Sequence, residues 1–224
     1  MRIELSHISK RYTRGGPLVV DDVSFGIAAG ETVSVFGDSG NGKSTIGQIL
    51  AGILPPSGGS VSYEGAEVAC PYRGRVRREI QMLFQHPEVA FNPKLRLIDS
   101  IREPYALYRI PCEREALLGY LSGFGIYKEH LSRYPSQLSG GELQRLALAR
   151  VMAVEPRVIV LDEPTSMLDA ISQAQVIQIL REYQKQKQVS YLFISHDIRL
   201  CERVSDRILY LNGGRLAEER REET

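Results

Sequence analysis

Residues 37–44 read GDSGNGKS, directly behind the apolar-rich run Thr32–Phe36 and at the head of a helix-like segment, Lys43–Leu54, which Pro55, Pro56 and the Gly58-Gly59 turn bring to an end. No other stretch restricts the fold so tightly. A strand, a glycine-rich loop and a helix in that order form a unit that holds phosphate. The glycines let backbone N–H groups turn inward around an anion, in conformations a side chain would obstruct. A helix opening at Lys43 adds its dipole and its unpaired N–H groups. Lys43 has the reach for two phosphates, and Ser44 has a hydroxyl for Mg²⁺. The candidate nucleotide cradle is therefore Gly37, Asp38, Ser39, Gly40, Asn41, Gly42, Lys43, Ser44 and Thr45. By itself the loop says nucleoside triphosphate and nothing narrower.

Around this loop the chain alternates between two characters. Short strand-like runs occupy the first third: Ile3–Ile8, Val19–Ile27, Thr32–Phe36, a hairpin over Val61–Val68 around Glu64-Gly65, and Ile80–Phe84. From about Pro87 to Ala153 helical patterns take over, punctuated at Pro93, Pro104, Pro111 and Pro135. Strands return at Val158–Leu161, Tyr191–Ile194 and Arg207–Leu211, and the terminal Arg221–Thr224 is expected to fray. A helix-rich insert inside an α/β core is the simplest organisation. At 224 residues, 43% hydrophobic and 25% charged, the chain suits one domain with a sizeable core rather than disorder. A net charge of +1 provides no global field toward nucleic acid or anionic lipid. Three scattered cysteines, Cys70, Cys112 and Cys201, suit a reducing compartment better than a disulfide framework. Charges in the opening MRIELSHISKRY argue against a signal peptide, and no run approaches the ~20 apolar residues of a membrane span. Any membrane role is expected to come through a partner.

A second acidic site follows from Arg157–Thr165, RVIVLDEPT. Four apolar residues run into two adjacent carboxylates, a buried strand that ends in charge. Ligands of open α/β sheets sit beyond the carboxyl ends of the strands, the side where the phosphate loop also opens. Asp162 suits the Mg²⁺ shell, and Glu163 suits positioning or deprotonating an attacking water.

Leu138–Arg145 reads LSGGELQR. Ser139 with Glu142 makes a capping box, and Leu143, Leu146, Ala147 and Val151 mark one face of a helix. Two glycines are odd for a plain cap and would leave N–H groups open to an anion. This string resembles the signature motif of the ABC ATPases, with the phosphate loop before it and Asp162-Glu163 after it. The resemblance covers roughly Ile3–Gly214. It implies an α/β fold: a P-loop NTPase core with a mixed or parallel sheet, an N-terminal antiparallel β region and an inserted helical subdomain. The core would be 1–85 and 154–224, the insert about 86–153. It implies ATP and Mg²⁺ as ligands, and a dimer in which Leu138, Ser139, Gly140, Gly141 and Glu142 close over the γ-phosphate held by the other subunit. Tyr12 resembles the aromatic that stacks on adenine. Gln85 resembles the hinge glutamine that joins the Mg²⁺ and water shell, alongside Ser44 and Asp162 as metal ligands. Ser166–Asp169 (SMLD) resembles the interface-crossing D-loop, with Ser166 and Asp169 as its polar members. His196 resembles the switch histidine that contacts the γ-phosphate and orients Glu163.

Arg77–Pro104, with Phe91-Asn92-Pro93 soon after Gln85, is similar to the branch that energises peptide and nickel importers. His86 and Met167 depart from that branch, which usually has Asp and a small residue at those places. The chain also stops soon after Leu216, where many of the branch continue; a nickel or metallophore importer subunit is expected as readily as a peptide one. The resemblance implies as partners a second ATPase subunit of the same or a sister chain, two polytopic permease subunits and, indirectly, a solute-binding protein. The location implied is the cytoplasmic face of the inner membrane. The alternative is a non-transport ABC ATPase of DNA repair or the ribosome. Nucleic acid is not expected: the basic run Arg73, Arg75, Arg77, Arg78 lacks interleaved aromatics and reads as a solvated face. The expected docking face for a membrane subunit is the loop His86–Pro93 with Lys94–Leu97, and Phe91 as its exposed apolar anchor.

Overall fold

Two sheets divide the strands of this computed structural model, whose described residues run from 2 to 217; the terminal Arg221–Thr224 lies outside them. The first sheet is antiparallel, in the order β2-β1-β4-β5. Its members are β1 (Ile3–Lys10), β2 (Val20–Ile27), β4 (Gly58–Tyr63) and β5 (Ala66–Glu67). Glu64 and Gly65 join the last two with φ of 50° and 83°, the paired positive values that a two-residue hairpin turn requires. The second sheet runs β10-β9-β3-β8-β7-β6. It contains β3 (Thr32–Phe36), β6 (Ile80–Leu83), β7 (Val158–Asp162), β8 (Ser190–Ser195), β9 (Arg207–Asn212) and the short β10 (Arg215–Ala217). All its pairings are parallel except that of the edge strand β10, so the sheet is mixed.

The central strands β7 and β8 are buried along their whole length, as parallel strands covered on both faces must be. Their period-2 alternation splits the interior in two. Val158, Val160, Leu192 and Ile194 face a core shared with helix α1 (Lys43–Leu50) and the antiparallel sheet. Ile159, Leu161, Tyr191 and Phe193 face the other core. That core is shared with α6 (Ala170–Lys187) and with the segment between β6 and β7. This segment carries α3 (Leu97–Tyr108), α4 (Arg114–Ser122) and α5 (Gly140–Met152), together with short 3₁₀ turns at Pro87–Ala90 and Pro135–Gln137. Helices α2 (Gly74–Glu79) and α7 (Ile198–Val204) complete the described elements.

Two local expectations give way to tertiary packing. The helix from Lys43 stops at Leu50, because Gly52 takes a φ of 67° with the Tyr72 ring 2.3 Å from where a Cβ would stand. Pro104 does not punctuate; it lies inside α3. A proline there removes the N–H that would bond the Ser100 carbonyl, yet Leu97 and Ile101 are anchored in the core and hold the helix across the gap. The three-residue β10 is too short a run to stand out in the sequence.

Candidate nucleotide site

Strand register decides which loop residues meet. Leu83 pairs with Leu161, Asp162 with Ile194, and Phe36 with Ser195. The residues one or two positions further on, Gln85, Glu163, His196 and Gly37, therefore leave the sheet at one level and on one side. Glu163 turns sharply out of β7 with a φ of 46°, a strained conformation for a non-glycine residue, and its N–H donates to the Ile194 carbonyl at 3.0 Å.

The Glu163 carboxylate is consequently gripped from both flanks. Gln85 Nε2 donates to Oε2 at 3.2 Å, and His196 Nδ1 lies 3.1 Å from Oε1. Only about a tenth of the Glu163 side chain is open, whereas His196 is half exposed and free to face a ligand. Next to it, the buried Asp162 accepts from Ser44 Oγ at 3.1 Å. Burial raises the Asp162 pKa, offset by the Ser44 hydrogen bond and by Lys43, with Glu163 pushing it up further.

The phosphate loop is preformed. Lys43 is buried, and its Nζ donates to the carbonyls of Gly37 at 2.6 Å and Asp38 at 2.9 Å. Gly42 precedes α1 with a φ of 96°, and a Cβ there would stand 2.6 Å from the Val19 carbonyl oxygen. Only glycine fits both the angle and the space. No side chain caps α1, which leaves its first N–H groups for an anion. Asp38, Ser39, Gly40, Asn41 and Thr45 complete the loop and first turn, with Asn41 Nδ2 donating to the Leu211 carbonyl. The donor set fits a nucleotide with Mg²⁺: an ammonium, open amides, and hydroxyl and carboxylate oxygens, the hard ligands that Mg²⁺ prefers. Among the described residues no group of three His, Cys, Asp or Glu could hold a metal ion.

Tyr12 is 59% exposed beside this loop, its hydroxyl 3.0 Å from Thr45 Oγ1 and Lys10 Nζ 5.7 Å from its ring centroid. Its exposed side chain adjoins the cradle through that Thr45 contact. On the insert, the Ser139 N–H and hydroxyl both donate to Glu142 Oε2 at 2.8 Å, and the Glu142 N–H donates back to Ser139 Oγ at 3.3 Å. Those bonds, aided by His130 and Arg133, hold the Glu142 carboxyl below its usual range. Gly140 has open space at its Cβ position, but a Cβ on Gly141 would meet Ser172 Oγ at 2.6 Å. Leu138 is half-buried before this turn. Ser166 Oγ donates to the Glu163 carbonyl at 3.2 Å. Asp169 is already engaged locally as the cap of α6, accepting from Ile171 N, Ser172 N and Ser172 Oγ. Among the described residues no hydrogen bond joins the signature turn to the Ser44–Asp162–Glu163 cluster.

Phe91 as the exposed anchor of the expected docking face is overturned, although His86, Val89, Asn92, Pro93 and Lys94 of that face are exposed. Phe91 is only 4% exposed and packs in the insert core, and Leu97 is fully buried. The cause is Arg150 on α5. Its guanidinium donates to the Ala90 carbonyl, pairs with Glu103 and lies 5.5 Å over the Phe91 ring, pinning the loop inward. Two further positions do not declare themselves in the sequence. The buried Gln144 donates to the Pro164 carbonyl at 2.7 Å, tying the helix behind the signature turn to the residue after Glu163. Arg145 donates to the Phe124 carbonyl and to Gln175. Polar residues on the buried face of α5 were the available signal.

Comparison with known proteins places this geometry. The family model described as ABC transporter matches residues 20–166. The chain is 36% identical over 230 residues to the oligopeptide transport ATP-binding protein OppF of Bacillus subtilis, spanning 96% of this chain and 74% of the relative. It is 41% identical over 206 residues to the di/tripeptide transport ATP-binding protein DppF of Pseudomonas aeruginosa, covering 89% of this chain and 64% of that one. It is 38% identical over 229 residues to the nickel import ATP-binding protein NikE of Escherichia coli, covering 96% and 85%. Among solved structures, a dimeric post-hydrolysis state of the ATP-binding cassette MJ0796, bound to ADP and Pi, superposes with a TM-score of 0.87. Its identity is 27%, over 99% of both chains.

Proposed function

This chain belongs to the ABC transporter family of ATP-binding subunits, and on that premise we propose that it drives uptake of a short peptide, nickel or a metal chelate through membrane subunits carried on other chains. It is an ATPase. The observation that carries the mechanism is the grip of Gln85 and His196 on Glu163 at one level of the sheet edge.

In this reading the amides of 37–45 and the Lys43 ammonium hold the phosphates, and Tyr12 offers its exposed ring to adenine. Ser44 and Asp162 supply oxygens to Mg²⁺, with Gln85 beside them. When bound, Mg²⁺ neutralises charge on the phosphates. Glu163 accepts the proton of the attacking water. Gln85 and His196 keep its carboxylate aimed, and His196 turns its other ring nitrogen toward the γ-phosphate. Residues 86–153 form a subdomain within a single domain, and Leu138–Glu142 of a second copy, or of a sister chain, completes each site. Gly140, unobstructed in the fold, is the backbone donor closest in character to that role. Ser166 and Asp169 lie at the same dimer seam.

No described helix is long and apolar enough to cross a membrane, so attachment to permease subunits at the cytoplasmic face needs a docking surface. We assign it to the groove of about 850 Å³ between β6, α2 and α3, where Ile53, Phe84 and Leu107 are exposed together. Leu107→Glu should release the membrane subunits and leave ATP binding intact. The deciding experiment reconstitutes the chain with its neighbouring permease and solute-binding subunits in vesicles. Labelled dipeptide or nickel uptake should require ATP and vanish with Glu163→Gln. ATPase activity stimulated by DNA ends or ribosomes, and not by the membrane subunits, would favour the non-transport alternative.

A further inference from the structure

A second groove lies wholly on the insert, away from the phosphate loop and from the groove assigned to the permease. Its floor is apolar: Ile98 of α3, Leu117 and Leu118 of α4, and Leu131 of the loop that follows. Its rim is cationic: Arg96 and Arg102 from the α3 side, Arg114 of α4, and Lys128. The groove encloses about 570 Å³. All four rim cations are exposed, and none makes an ion pair or side-chain hydrogen bond among the described residues. Glu129 is the one carboxylate among the lining residues. In a chain whose formal charge is only +1, this is a local excess of positive charge with no internal partner.

Backbone hydrogen bonds join two sides of the groove. The N–H groups of Leu97 and Ile98, which open α3, donate to the carbonyls of Arg133 and Leu131 at 3.0 and 3.1 Å. The 131–133 loop is thereby bonded to the start of α3, which lowers the ordering cost of seating a guest.

We infer that this groove receives an acidic amphipathic helix from a partner protein. Two helices flanking an apolar trough are the geometry that takes the apolar face of a third, read at i, i+3/i+4 and i+7. The rim then selects Asp and Glu on the flanks of that face, through interactions that set specificity and on-rate. A bilayer fits less well, since the apolar side chains form the floor and do not protrude. A nucleic-acid backbone would leave the apolar floor uncovered. The site also reaches the signature turn. His130 sits on the 128–132 wall, its Nδ1 accepting the Tyr127 N–H at 2.9 Å and its Nε2 lying 3.4 Å from Glu142 Oε1. A helix seated in the groove presses on the loop that braces Glu142.

The test uses the whole chain and two fluorescein-labelled synthetic helices of about four turns, each with leucines at i, i+3, i+7 and i+10. One carries glutamates on the flanks and the other lysines. Anisotropy should show the glutamate helix binding about tenfold or more tighter than the lysine helix. The double variant Arg102→Glu with Arg114→Glu should invert that preference, while ATP affinity and unfolding temperature stay at wild-type values to show an intact fold. Equal affinity for both helices, or a preference untouched by the double variant, overturns the inference. So does binding of phosphatidylglycerol vesicles or oleate that depends on Arg102 and Arg114 while the glutamate helix fails to bind; the groove would then be a lipid site.

Discussion

Glu163 and Glu142 are both carboxylates poised at the edge of a loop, but Glu163 is held by Gln85 and His196 from other strands of the sheet, whereas Glu142 is held by Ser139, three residues away. The first arrangement exists only when three parallel strands are in register. The second is complete within one helical turn. A site built by register inherits the stiffness of the sheet and tolerates little displacement. A site built by a local cap keeps its internal geometry wherever its helix goes. That would suit the closure over a second subunit's ligand proposed for this turn.

The largest expected break in this contrast is at the register-built site. Glu163→Gln should lower ATP turnover by about 10²–10⁴-fold, the loss typical of a general base, with nucleotide binding retained. Phosphate-release kinetics beside calorimetric titration would measure both. A rate within about threefold of wild type would remove Glu163 from the chemistry. Next is Phe91→Ala, which should cost about 3–5 kcal/mol of stability in urea unfolding, as for other buried aromatics. A cost near zero would put Phe91 back at the surface. Lys43→Ala removes a buried cation facing the cradle and should weaken ATP binding by about 1.5–3 kcal/mol, the range for hydrogen bonds to charged groups.

Within the insert, two adjacent glycines should separate. Gly141→Ala must displace Ser172 and should destabilise by about 1–3 kcal/mol, while Gly140→Ala should fall within about 0.5 kcal/mol of wild type. Equal effects would mean that the signature turn is not packed on α6. Gly140→Asp is accordingly the cleaner probe of closure across a dimer, because it adds charge without an internal clash. The smallest effect concerns pH. The Ser139 bonds lower the Glu142 pKa in the folded state, so their stabilisation is present above the unfolded glutamate value of about 4.3 and is lost as pH falls through the lower folded value. The stability difference between wild type and Glu142→Gln should therefore narrow from pH 6 toward pH 3. A gap that widens in acid would reverse the assigned sign.

What could be read from the residues was whatever rests on neighbours in the chain. The phosphate loop needs glycines, Lys43 and Ser44 within eight positions; the capping box needs Ser139 and Glu142 within four; β7 needs an unbroken apolar run before Asp162. Their physics is local hydrogen bonding and burial pattern, and both are written along the chain. Glu64-Gly65 belongs with them, a two-residue turn legible from its type. Asp169 could have joined them, since an Asp ahead of a helical run is an N-cap signal.

The tertiary structure decided whatever depends on residues far apart in sequence. Phe91 in the FNP turn looks like an exposed anchor until Arg150, bonded to Ala90 from 60 positions away, closes over it. Pro104 looks like a helix end until Leu97 and Ile101 are seen buried in one continuous core face. Gln144 against Pro164, Gly141 against Ser172, and the cationic rim of Arg96, Arg102, Arg114 and Lys128 likewise exist only once α3, α4, α5 and α6 are packed. A sequence specifies which groups can bond or bury, but which pairs actually meet is settled by the packing of helices on the sheet, where each side chain takes the partners that the shared core leaves within reach.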